Sequence, residues 1–242
     1  MNSSLYDEIC RSAEHNLAAK ANPANVIRYS RYFKDGYNAW GVDSLYLNEL
    51  CNSVLGKYQN LNPEDVIELG KRLFAHGKYE MASLAIMLLQ KKLKQSNKTI
   101  FHGLKEWFDN GVGNWAHSDF LCSKILPYFL LKDIVEIEDF STWLKSTSKW
   151  TRRAVPVSLI AVKKILPVNK LLSFTEELMT DPERVVHQGM GWFLRELWKL
   201  HPTEVEDFLY KHRNDAARLI IQYATEKISK EERLRFRKDK PK

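Results

Sequence analysis

The sequence predicts an all-α fold, with HEAT-like helical repeats forming a curved α-solenoid that has a basic concave face. Three observations carry this expectation. Strand signals are almost absent, while stretches of roughly ten to twenty residues with apolar spacing of three and four recur from end to end. Helix starts are punctuated by N-caps, first-turn prolines and a capping box. Short helices joined by tight turns match stacked pairs repeating every ~40 residues, although no crisp internal sequence repeat is visible. At 242 residues with no low-complexity linker, a single HEAT-like domain over 1–242 is expected, with a basic tail from about residue 228.

Periodicity places the first helices over 3–19, 24–34 and 42–58. Asn62 as N-cap with Pro63 in the first turn opens the helix over 63–75, and helices over 79–95 and 99–109 follow. The next, 115–131, begins inside "GVGNWAHSDFLC", with Leu121, Ile125 and Phe129 marking its core side. Trp115 and Asp119, at i and i+4, share a face. Alone, this stretch fits a cap-and-core account: Asn114 caps, Asp119 is a favourable acid near a helix N-terminus, Trp115 is core and His117 lies on the helix surface.

A helix over 137–146 precedes the segment 148–166, "SKWTRRAVPVSLIAVKKIL", which has five basic residues and no acid. On a helical wheel Arg152, Arg153, Lys163 and Lys164 fall on one side, with Pro156 a potential kink between them. Such a cluster is either a solvated charged face or a phosphate-binding one, since arginine grips phosphate bidentately. After 169–179, Asp181 and Pro182 open the helix over 183–199. There Val186, Met190, Phe193, Leu197 and Leu200 form the apolar stripe, and Trp192 lies off it with Gln188, Arg195 and Lys199. Trp192 therefore faces solvent, a ligand or a covering helix. Gly189 and Gly191, each costing up to ~1 kcal/mol relative to alanine, imply close backbone approach or tight packing. Helices over 203–212 and 214–226 follow, and Ser229 with Glu232 forms a capping box opening 229–238.

Composition narrows the function classes. A hydrophobic fraction of 44% with 28% charged residues describes an ordered chain. Neither a signal-peptide pattern nor an apolar run of ~18 residues occurs, so a cytoplasmic location (bacterial cytosol or nucleoid-associated) is expected. Cys10, Cys51 and Cys122 are odd in number and far apart, giving neither a disulfide framework nor a metal pair. The net charge of +7 points to polyanionic partners, nucleic acid first and acidic membrane second. "GVGNWA" matches the letters of a dinucleotide-binding loop but follows a helical stretch instead of a strand. No Walker loop, G-x-S-x-G elbow or zinc spacing is present, so neither metal nor cofactor is expected.

Taken together and in order, "NWAHSDFLC", "WTRRAVPVSLI", "VVHQGMGWFLRELWKLHPTEVEDFL" and "YATEKISKEER" resemble the DNA alkylation repair enzyme family, the AlkD-like HEAT-repeat DNA glycosylases. The resemblance covers roughly residues 25–235, with "RYSRYFKDGYNAWGV" its best early piece. It implies a monomeric, repeat-built enzyme that wraps duplex DNA and excises N3- or N7-alkylated purines, leaving the lesion largely outside a base-specific cavity. The catalytic positions it implies are Trp115, Asp119, Arg153 and Trp192. Tyr32 matches a further aromatic near the DNA, and Arg195 a phosphate contact. Asn114 stands where some members carry another aromatic. The alternative is a non-catalytic repeat protein that binds branched or damaged DNA, since the family also contains such paralogues.

Overall fold

The computed structural model describes residues 3–239, which contain helices and turns and no β-strand. Two compact units divide between Leu121 and Cys122. The N-terminal unit contains α1 (Ser3–Ala18), α2 (Pro23–Ser30), α3 (Ser44–Lys57), α4 (Pro63–Ala75), α5 (Tyr79–Lys92), α6 (Lys98–Asn110) and α7 (Trp115–Phe120). Its core forms where α4 packs on α1, α5 and α6, burying Leu69, Leu73, Leu84, Leu88, Leu104 and Phe108 completely. Each such side chain contributes about 1.5–3 kcal/mol by leaving water. The expected start of α4 forms as a full capping box: Asn62 Oδ1 accepts the Asp65 N–H at 2.8 Å, and Asp65 Oδ2 accepts the Asn62 N–H at 3.1 Å. By contrast, α2 buries none of its residues and leaves Ile27 76% exposed.

The C-terminal unit contains α8 (Leu126–Leu131), α9 (Ser141–Leu144), α10 (Lys149–Leu159), α11 (Val168–Thr175), α12 (Arg184–Trp198), α13 (Pro202–Lys211), α14 (Arg218–Ala224) and α15 (Lys230–Arg233). Its centre is α12, which packs on α10, α13 and α14. Val186, Met190, Phe193 and Leu197 are buried as the stripe requires, while Leu200 lies past the helix end and is exposed. The stretch beyond Ile228 folds back on its own unit: Phe236 is buried edge-on against Trp198, and Arg218 Nη1 donates to its carbonyl.

Two elements differ from the expected pattern. The stretch from 115 to 131 is interrupted by a π-helical turn, Leu121–Ile125. Pro127 explains it, since proline has no N–H to give the carbonyl four residues back. Asp181 does not cap the next helix; the cap position is Glu183, without a side-chain bond. Asp181 accepts the Glu183 N–H at 2.8 Å and spends the rest of its carboxylate on an arginine of α10. Among the described residues no helix is long and apolar enough to cross a membrane.

Candidate functional site

The exposed aromatic face of α7 is set by its cap. Asn114 Oδ1 accepts the His117 N–H at 3.0 Å, which fixes the first turn. At ~100° per residue, His117, Ser118 and Leu121 cluster on one side, with Trp115 and Asp119 opposite. Burying the first three turns the other two outward. Trp115 is 46% exposed and Asp119 is half-buried. This reverses the cap-and-core expectation, because His117 is only 4% exposed. The Trp115 indole is fixed from two sides: Nε1 donates to the Tyr32 carbonyl at 3.0 Å, and its ring stacks on Phe33 with centroids 5.7 Å apart.

His117 sits in a network that superficially resembles a hydrolytic triad. Its Nε2 lies 2.8 Å from Ser83 Oγ and its Nδ1 2.9 Å from Asn114 Nδ2. Hydrogen-bond direction decides its role. The Asn114 oxygen already accepts from the backbone, so its amide nitrogen donates to Nδ1 and the ring proton resides on Nε2. That N–H donates to Ser83, whose own proton goes to the Tyr79 carbonyl at 2.9 Å. The imidazole therefore has no lone pair for the serine proton, and the group is a structural clasp. Burial pushes the His117 pKa down to about 4, while its ring stacks on Tyr79 at 4.3 Å.

A second clasp holds the segment carrying Tyr32. Glu80, 2% exposed, accepts three backbone N–H groups, from Trp40 at 3.0 Å, Gly41 at 2.7 Å and Val42 at 3.2 Å. Asn25 Nδ2 donates to the Gly41 carbonyl, and the Asn22 N–H to that of Trp40. The result seats Phe33 between Tyr37 (4.5 Å, stacked) and Trp115. Between this segment, α3, α5 and α7 lies a cavity of about 630 Å³. Around α2, Tyr32 is 51% exposed beneath Arg31, whose guanidinium lies 4.8 Å from the ring centroid and donates to the hydroxyl at 2.8 Å. Arg28, Arg31, Lys34 and Lys78 have no ion-pair partner among the described residues.

In the C-terminal unit the basic side chains of α10 and α12 are mostly committed. Arg152 donates Nε and Nη2 to the two Asp181 oxygens at 2.6 and 3.2 Å, and Nη1 to the carbonyls of Ser146 and Thr147. Arg153 is buried on the α12 side, its Nη1 donating to the Val185 carbonyl at 2.7 Å. Lys163 pairs with Glu196 at 2.8 Å and Arg195 with Glu226 at 2.6 Å. Lys164 is exposed without an ion-pair partner among the described residues. Trp192 is half-buried on α12. Gly189 makes room for Arg153: a Cβ there would lie 3.0 Å from Arg153 Cγ. Gly191 lets α14 approach, since a Cβ would lie 2.4 Å from Tyr223 Cβ.

The family model of the DNA alkylation repair enzymes matches residues 13–228. The chain belongs to that family. Its fold resembles a solved structure described as a predicted DNA alkylation repair enzyme from Enterococcus faecalis, with a TM-score of 0.73 and 17% identity over 87% of this chain and 98% of that one. It also resembles the smu.31 protein of Streptococcus mutans UA159, with a TM-score of 0.55 and 22% identity over 85% and 100% of the two chains. No curated protein matches it.

For this DNA alkylation repair family member, each unit carries part of the implied residue set. The N-terminal unit presents Trp115, Asp119 and Tyr32, and the C-terminal unit Arg153, Trp192 and Arg195. Sequence reasoning missed Phe33, Tyr37, Tyr79 and Glu80. A signal was present in "RYSRYFKDGYNAW", where aromatic and basic residues crowd a stretch with almost no aliphatic ones.

Proposed function

We propose that this DNA alkylation repair family member is a glycosylase that excises N3- and N7-alkylated purines from duplex DNA. The observation that carries the reading is the exposure of Trp115, pinned by Tyr32 and Phe33, on the same helix face as Asp119. An alkylpurine already bears positive charge, so the base departs neutral and needs little proton donation. The charge that develops in the transition state is on the sugar, which gains oxocarbenium character as the N-glycosidic bond breaks. The Asp119 carboxylate stabilises that charge and orients the attacking water. The ring face of Trp115 adds about 0.5–2 kcal/mol. Arg153, buried against Gly189 and donating to the Val185 carbonyl, serves as a positioning residue for α12.

Arg152 acts as a positioning residue, tying the start of α10 to Asp181. Backbone attraction comes from Lys164, Arg28, Arg31, Lys34 and Lys78, whereas Lys163 and Arg195 are held by Glu196 and Glu226. Incubation with N7-methylguanine-containing duplex, followed by chromatography of the released base, tests the proposal. Release by the wild-type protein supports it. Tight, salt-sensitive binding without release would replace it with a non-catalytic binder of damaged or branched DNA.

A further inference from the structure

Glu80 lines the same cavity as Trp115, and a buried carboxylate there invites the reading of a second catalytic acid. Its hydrogen bonds point elsewhere. Oε2 accepts the Trp40 N–H at 3.0 Å, and Oε1 accepts those of Gly41 at 2.7 Å and Val42 at 3.2 Å, so both oxygens are committed to the backbone of one segment. That segment, 33–42, forms neither helix nor strand, and within it only Gly41 is buried. It also borders open space: Phe33 and Tyr37 line both the cavity of about 630 Å³ and a second one of about 470 Å³. A segment that buries so little apolar surface gains little from core packing, so polar ties fix it. Besides Glu80, these are the Asn38 carbonyl, which accepts the Tyr79 N–H at 2.8 Å, and Asn38 Nδ2, which donates to the Gly77 carbonyl at 3.0 Å. Asn25 and Asn22 hold Gly41 and Trp40 from the α2 side.

This segment carries the support of Trp115. The Tyr32 carbonyl, immediately before it, accepts Trp115 Nε1 at 3.0 Å, and Phe33, its first residue, stacks on the Trp115 ring. Phe33 in turn stacks on Tyr37, with centroids 4.5 Å apart. We propose that Glu80 is a positioning residue for base release: by fixing residues 40–42 to α5 it sets the place of Phe33 and of the Tyr32 carbonyl, and through them the orientation of the Trp115 ring. The inference rests on the glycosylase reading. The role requires a carboxylate, which accepts on both oxygens and makes charge-assisted bonds stronger than neutral ones. Glutamine accepts on one oxygen only, so at least one of the three N–H groups would meet an amide donor and lose its acceptor.

Glu80→Gln tests the assignment in protein labelled with 5-fluorotryptophan, with Trp115→Phe identifying the Trp115 fluorine resonance among those of seven tryptophans. In the Glu80→Gln variant that resonance is expected to shift or broaden, while those of Trp143 and Trp198 in the C-terminal unit stay in place. Base release from N7-methylguanine duplex should slow about tenfold, with duplex affinity held within about threefold. Asp65→Asn, which breaks the capping box of α4 in the same unit, is the control: it should lower the melting temperature and leave both the Trp115 resonance and base release unchanged. If Glu80→Gln does not fold, Gly41→Ala carries the test. A Cβ there would lie 2.4 Å from the Asn22 carbonyl oxygen, displacing the segment while the Glu80 carboxylate remains, and the Trp115 resonance should again move. An unmoved Trp115 resonance in a folded variant, one that Asp65→Asn moves equally, or one that moves while base release keeps the wild-type rate would each overturn the positioning role. If the wild type releases no base yet the resonance moves in Glu80→Gln, the glycosylase reading fails and the dependence of Trp115 on Glu80 stands.

Discussion

His117 shows how one buried ring can decide what a helix displays. Its neutral imidazole, bonded to Ser83 and Asn114, holds the first turn of α7 inward on that side and so keeps Trp115 outward. In the folded chain it protonates only near pH 4, whereas an unfolded histidine protonates near 6.5. Between those values the unfolded state binds more proton, so acid destabilises the fold through this group, by at most about 3 kcal/mol. Replacing His117 with phenylalanine should remove this contribution. Urea unfolding from about pH 7 to about pH 4 should then show a shallower acid loss in the variant than in the wild type. Identical slopes would mean the ring is not buried neutral. The same residue marks a limit of local pattern reading. Histidine is usually peripheral, and only the partners Ser83 and Tyr79, over thirty residues earlier in the chain, make its burial favourable.

Among the elements, α12 is the one whose sequence anomalies were most legible. Two mid-helix glycines signalled close approach, and the structure supplies both neighbours, Tyr223 for Gly191 and Arg153 for Gly189. Gly191→Ala should cost about 1–3 kcal/mol, read as a lower melting temperature, because neither Tyr223 Cβ nor the Ile220 carbonyl can move independently of α14. Gly189→Ala meets only side chains, Arg153 Cγ at 3.0 Å and Val157 Cγ2 at 3.2 Å, each able to give by a few tenths of an ångström. It should leave melting nearly unchanged and slow base release about tenfold, by displacing Arg153. The opposite ranking of stability and activity would contradict the positioning role of Gly189. What the sequence hid at this scale are the long-range ion pairs. The acid-free run 148–166 reads as free cations, yet Arg152 meets Asp181 and Lys163 meets Glu196, each about thirty residues away. The cavity was hidden for the same reason, being assembled from α2, the segment after it, α3, α5 and α7.

For the whole molecule, internal pairing leaves the net charge of +7 unchanged but decides which cations can meet a polyanion, since Arg152, Lys163 and Arg195 are already held by acids. Arg28, Arg31, Lys34, Lys78 and Lys164 are without ion-pair partners among the described residues. If these five make the phosphate contacts, log affinity for duplex should fall against log salt with a slope of about −4.5. Replacing Arg28, Arg31 and Lys34 together with alanine should reduce that slope by nearly 3, read by fluorescence anisotropy. An unchanged slope would move the phosphate contacts away from α2. The all-α class and most helices were legible at this scale because periodicity is local. The folding back of Phe236 onto Trp198 was not, because docking a terminal segment is a tertiary event.

The proposed glycosylase activity turns on Asp119 stabilising a developing cation, and one rate comparison addresses that role directly. Under single-turnover conditions with N7-methylguanine duplex, Asp119→Asn preserves side-chain size and removes the charge. We expect base release slowed at least about a hundredfold with duplex affinity unchanged. Equal release by the wild type and the Asp119→Asn variant would contradict that role.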